Sequence, residues 1–147
     1  MKITRVLEVT EKEFYDHLES QLLSDFQKHA KELTEVKKGA AYTKFDEKTQ
    51  SSVSDEIEDY ARGNSYRMKV KSALDTYTVD YKTRTTEKGL EVVFYQEVES
   101  FEKTTQNKFL RLFSEAVYYG RMSDALFEIQ KGIARNRNEA PLADERG

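Results

Sequence analysis

The chain has 147 residues, a formal net charge of -3 and no cysteine. Its length is that of a single domain, one that buries roughly 70% of its unfolded surface and needs no metal or disulfide staple. Structural disulfides, zinc–thiolate sites, iron–sulfur clusters and thiol catalysis are excluded, and an acidic balance argues against a general nucleic-acid binder.

Charged residues make up 35% of the chain with both signs interleaved, the pattern of a solvated surface around a core rich in Phe and Tyr. The opening MKITRVLEVT lacks the apolar run of a signal peptide, and no stretch of about 18 apolar residues occurs. These features predict a cytoplasmic protein with no membrane span.

Residues 2–9 alternate, with Ile3, Leu7 and Val9 on one side and Lys2, Thr4 and Glu8 on the other, which predicts a strand. Thr10 and Glu13 then form a capping box, with Val9 and Phe14 as its hydrophobic staple. Phe14, Leu18, Leu22 and Phe26 recur every four residues, giving an amphipathic helix to about residue 30. A shorter helical piece is expected over 31–36, ended by Gly39.

From 40 to 101 the period becomes two. Strands are predicted over 40–45, with Tyr42 and Phe45, and over 52–60. A turn at 61–65 leads to Tyr66, Met68, Val70 and Leu74, which alternate with Arg67, Lys69 and Lys71. Asp75-Thr76 turns the chain into Tyr77, Val79 and Tyr81, and TEKG into Leu90, Val92, Phe94 and Val98, with Gln96 on the same face. Strands joined by such short loops are antiparallel neighbours, so this is a meander with one apolar face.

The cover for that face is a helix over 105–136, roughly 45 Å long at 1.5 Å per residue. Phe109, Phe113, Ala116, Gly120 and Phe127 form its main stripe, widened by Leu110, Leu112, Val117, Leu126, Ile129 and Ile133. Gly120 in mid-helix predicts close approach of another element or a bend. The polar remainder, 137–147 with Pro141, is expected to be disordered, leaving one domain over 1–136.

The predicted architecture is an α+β helix-grip: an antiparallel sheet curved around a long C-terminal helix, with one or two short helices after the first strand. This order resembles the START and birch-pollen-allergen (SRPBCC-like) superfamily, and IEDYARGNSYRMKV is similar to one of its hairpins. The opening ITRVLEVTEKEFYDHL and the block GLEVVFYQEVES resemble an uncharacterised family of small Gram-positive bacterial proteins. The resemblance covers about residues 1–136. It implies a cavity between sheet and helix, of the kind used for apolar ligands, and brings no catalytic residue with it.

The candidate chemistry is sparse. If the turns set the register, Glu58 faces Arg67, Glu56 faces Lys69 and Asp80 faces Lys71, so the basic strip is neutralised rather than a docking site. His17 and His29 are twelve residues apart, too far to share a metal, and read as solvated. Asp55 lies between Val53 and Ile57 at period two, which points it inward as a polar anchor or general acid/base unless a bulge turns it out. Tyr42, Tyr66, Tyr77, Tyr81 and Gln96 fall on the inner face, as core or as the polar tips of a pocket. No nucleotide loop, nucleophile elbow or zinc-helix motif is present, and neither cofactor nor metal is expected.

Three functions follow. The first is non-enzymatic binding of a small apolar or amphipathic ligand, lined by Met68, Tyr81, Gln96, Phe113 and Val117 with Asp55 or Tyr42 as anchor. The second is a protein-interaction module or homodimer with a filled cavity, presenting Leu112, Tyr119, Met122, Leu126 and Ile129. The third is a cyclase or hydrolase relying on Asp55 and Tyr81.

Overall fold

The computed structural model describes residues 1–48, 50–73, 75–99 and 108–146, with side chains between 108 and 146 described for 115–138. Strand β1 (Lys2–Leu7) is followed by α1 (Glu11–His29), then β2 (Ala41–Asp46), β3 (Ser51–Ala61), β4 (Ser65–Lys71), β5 (Thr76–Thr86), β6 (Gly89–Val98) and α2 (Lys108–Arg146). The strands form one antiparallel sheet in the order β1-β6-β5-β4-β3-β2. The meander of the sequence reading is there, and the first strand closes its far edge. Residues 31–36 form turns rather than a second helix. Leu74 lies outside the described residues.

Register follows from local chemistry. Gly89 adopts φ +143°, and a Cβ there would sit 2.2 Å from the Leu7 carbonyl oxygen, so only glycine lets β1 reach β6 with Leu7 opposite Leu90. A bulge between Ile57 and Asp59 places Asp59, not Glu58, opposite Arg67. The Glu58 carboxylate still reaches Arg67 at 3.3 Å, and Glu56 faces Lys69 as expected. Lys71 faces Thr76, and Asp80 faces Arg67, because the turn between β4 and β5 is longer than two residues.

The inner face is ordered in rungs that cross the strands. Tyr60, Tyr66, Tyr81, Phe94 and Ile3 are successive cross-strand partners. Their rings touch in sequence, with centroids 6.3 Å apart for Tyr60–Tyr66, 5.8 Å for Tyr66–Tyr81 and 4.8 Å for Tyr81–Phe94. The next rungs are Ile57, Met68, Val79, Gln96 and then Tyr42, Asp55, Val70, Tyr77, Val98.

Helix α1 begins at the expected capping box, in which Thr10 accepts from the Glu13 N–H and Glu13 accepts from the Thr10 N–H. Its buried residues Phe14, Tyr15, Leu22 and Phe26 cover the middle of the sheet. Phe14 meets Tyr81 edge-on at 5.9 Å, and Phe26 meets Tyr42 at 5.3 Å. Polar ties hold its outer side: Arg62 reaches Asp16 at 2.5 Å and Glu19 at 2.8 Å, and Tyr60 donates to Glu19.

Helix α2 packs against β1 and α1. It buries Met122, Leu126 and Ile133, with Ile129 packed beside them. Of the expected stripe, the widening residues Leu126, Ile129 and Ile133 face the core, the main-stripe residues with described side chains face out, and Phe109 and Phe113 lie outside the described side chains. Ala116, Gly120 and Phe127 are exposed, and a Cβ at Gly120 would meet nothing within 4 Å, so no close approach or packing constraint accounts for that glycine. The glycine in contact is Gly132, where a Cβ would lie 2.9 Å from the His17 ring. The helix continues through 137–146, where the composition predicts disorder.

Candidate functional site

Rungs from β5 and β6 leave a cleft under the described N-terminal half of α2. It has a volume of about 460 Å³. Tyr77, Val79, Tyr81, Phe94, Gln96 and Val98 form its floor, and Tyr118, Arg121, Met122 and Ala125 come from the helix. The floor is apolar because alternate residues of both strands face inward. Helix α1 packs on β2 and β5, while α2 packs on β1.

The polar groups of the cleft have different environments. Burial pushes the Tyr81 hydroxyl up to about 12, and burial with the nearby Asp55 charge raises that of Tyr77, so both remain protonated donors at neutral pH. The Gln96 side chain is half-buried and makes no hydrogen bond among the described residues. Arg121 is the charged side chain among the described lining residues, and its guanidinium carbon sits 5.7 Å from the Tyr118 ring centroid.

A second polar cluster lies two strand spacings from Tyr77, about 10 Å away along the same rung. Asp55 points inward and is 4% exposed. Lys44, two residues beyond Tyr42 and so on the same face, reaches its carboxylate at 3.2 Å. Tyr42 donates to Asp25 of α1 at 3.2 Å. Burial, then the Asp55 and Asp25 charges, drives the Tyr42 hydroxyl far above its ordinary range. The other Asp55 oxygen, Oδ1, is buried without a hydrogen-bond partner.

Of the residues singled out from sequence, Tyr77, Tyr81 and Gln96 line the cleft. Tyr42 and Asp55 are together, but in the buried cluster rather than in the cleft lining. Met68 is core, its sulfur accepting from the Tyr66 hydroxyl at 3.3 Å, and does not line the cleft. Val117 is 40% exposed on the outer side of the helix, and its neighbour Tyr118 lines the cleft instead. Phe113 falls outside the described side chains. Met122 and Leu126, expected in an exposed patch, are buried.

Arg121, Tyr118, Ala125 and Lys44 were not foreseen. Period two on β2 carried a signal for Lys44, since it shares the face of Tyr42. None existed for the helix residues, whose roles depend on how α2 is rotated. His17 is half-buried against Gly132, and burial lowers its pKa, so it is not a solvated residue. Among the described residues, no group of three His, Asp or Glu side chains could hold a metal ion, and no helix is long and apolar enough to cross a membrane.

Solved structures share the fold. SA2116 from Staphylococcus aureus, a protein of unknown function, matches with TM-score 0.61 and 13% identity over 95% of this chain and 94% of that one. MLL2253 from Mesorhizobium loti matches with TM-score 0.60 and 9% identity over 92% and 96%. ChR145 from Cytophaga hutchinsonii gives 0.57 and 9% over 90% and 94%. At these identities the likeness concerns the fold alone. Comparison with curated proteins gives no match. Residues 1–115 match the DUF3284 family, described as a domain of unknown function, and the chain belongs to that family.

Proposed function

We propose that the protein binds a small apolar or amphipathic molecule in the cleft between β5, β6 and α2, without transforming it. The observation behind this reading is the cleft itself: about 460 Å³, floored by Val79, Tyr81, Phe94 and Val98, with a few polar groups at its edge. That volume and mixture belong to small-molecule sites. The helix-grip arrangement supports it, since the START-like proteins it resembles build ligand cavities in the same place. Each methylene removed from water there contributes about 0.8 kcal/mol.

Ala125 offers the test. It lines the cleft from an exposed helix position, so Ala125→Trp fills the space without disturbing the core. Native mass spectrometry of protein purified from cells, compared with its denatured mass, identifies a retained ligand. The wild type should carry it and Ala125→Trp should not. An unliganded wild type that also takes up no apolar probe in titration defeats the reading.

A second reading, self-association through the outer side of α2, draws on Val117, Tyr119 and Phe127, which are 40%, 38% and 40% exposed. Sedimentation over a hundredfold concentration range separates the two, because a constant monomer mass removes this one.

A further inference from the structure

We infer that the molecule held in the cleft carries a carboxylate head, received by Arg121 at the cleft mouth, while its apolar body lies over Tyr81, Phe94 and Met122. This rests on the cleft-binding reading and specifies the ligand class.

The arginines of the described residues differ in how their charge is met. Arg62, Arg67, Arg84 and Arg137 each pair with a carboxylate of the protein. Arg5, Arg121 and Arg135 have no carboxylate partner among the described residues; of the three, Arg121 is the one that lines the cleft, 5.7 Å from the face of Tyr118. Stacking on that ring holds the guanidinium at the cleft while leaving its N–H donors available. Gln96, on the opposite wall, also has a side-chain amide with no partner among the described residues. No acidic side chain is among the described lining residues.

A planar fork of N–H donors matches the two oxygens of a carboxylate, and such charge-assisted pairs are the stronger class of hydrogen bond. A cationic ligand would meet uncompensated repulsion. A neutral one would leave the Arg121 charge without a counterion. The apolar floor beneath it supplies the site for a hydrocarbon or aromatic body, so the two halves of the cleft together describe an amphipathic acid.

The test compares octanoate with octanol, equal in chain length and different in head, by titration into isotopically labelled protein and amide NMR of the cleft residues. The wild type should bind octanoate about tenfold more tightly than octanol, the effect of one charge-assisted pair. Arg121→Gln should erase that preference, with Arg121→Lys intermediate. Arg121 is exposed, so an unchanged spectrum elsewhere confirms that each variant folds. Equal affinity for both heads in the wild type, or a preference that survives Arg121→Gln, overturns the carboxylate assignment and leaves the cleft reading standing. If neither compound shifts the cleft amides, both are overturned.

Discussion

The Lys44 ammonium lies 3.2 Å from the Asp55 carboxylate on the inner face of the sheet, the lysine side chain one-third exposed and the aspartate almost fully buried. The pair joins neighbouring strands diagonally, since Tyr42 is the cross-strand partner of Asp55 and Lys44 that of Val53. It explains how a carboxylate can sit at an inward position without a bulge to turn it out. Lys44→Met should destabilise the protein by about 2–3 kcal/mol, because a buried charge loses its counterion. Adding Asp55→Leu should restore most of the loss. Urea denaturation of the three variants measures this, and additive losses in the double variant would contradict the pairing.

Glu13 has two tasks, capping α1 and pairing with Arg137 of α2 at 2.5 Å. The Arg137 hydrogen bonds are the main cause holding its carboxyl down at about 2, against an ordinary 4.5. The stability this contributes is present above pH 4.5 and is lost as pH falls through the window from 4.5 to 2. Both side chains are partly solvated, so the contribution is about 1 kcal/mol. Arg137→Gln should flatten the acid side of the stability curve. A curve parallel to the wild type below pH 4.5 would show that the pair contributes nothing.

His17 packs on Gly132, and burial holds its pKa below 6.5. The unfolded chain binds a proton more readily than the folded one, so stability should decline as pH falls below 6.5. His17→Gln removes the titrating group and with it that part of the slope. The groove that His17 faces also carries Glu13, Asp16, Arg135 and Arg137. The comparison should therefore be made between pH 5 and 7, above the range in which the carboxylates titrate.

Gly89→Ala should cost about 2 kcal/mol or more, because the new Cβ would overlap the Leu7 carbonyl in a backbone conformation that L side chains avoid. Gly39→Ala is a milder control, since its φ is also positive but no atom lies within 4 Å of the added carbon. Equal losses in thermal unfolding would mean that backbone conformation alone matters and the contact with β1 does not.

Local patterns were sufficient for most of the architecture. The capping box at Thr10 and Glu13, the period of four from Phe14 to Phe26 and the period of two from Tyr66 to Val98 are written in neighbouring residues. The elements they predict are those observed. The inward position of Asp55 followed from the same period. Exact pairings were less legible, because one bulge after Ile57 and a longer turn before Thr76 shift the partners of Arg67 and Lys71.

What only the tertiary structure decided is the rotation of α2, and with it the site. The helix is apolar on more than one side, so its sequence offers two faces to the sheet. Met122, Leu126 and Ile133 mark the face that is buried, and Ser123, Gln130 and Arg137, spaced by seven, bond beside it. Arg5 donates to Ser123 at 3.4 Å, the Glu8 N–H donates to Gln130 at 2.8 Å, and Arg137 donates to the Glu8 carbonyl at 2.8 Å. With these bonds to Arg5 and Glu8, Met122, Leu126 and Ile133 face inward and Tyr118 and Arg121 lie over the cleft, leaving Val117 and Phe127 outside. Periodicity along a chain can define that a face exists, but which face meets the sheet depends on partners more than a hundred residues away.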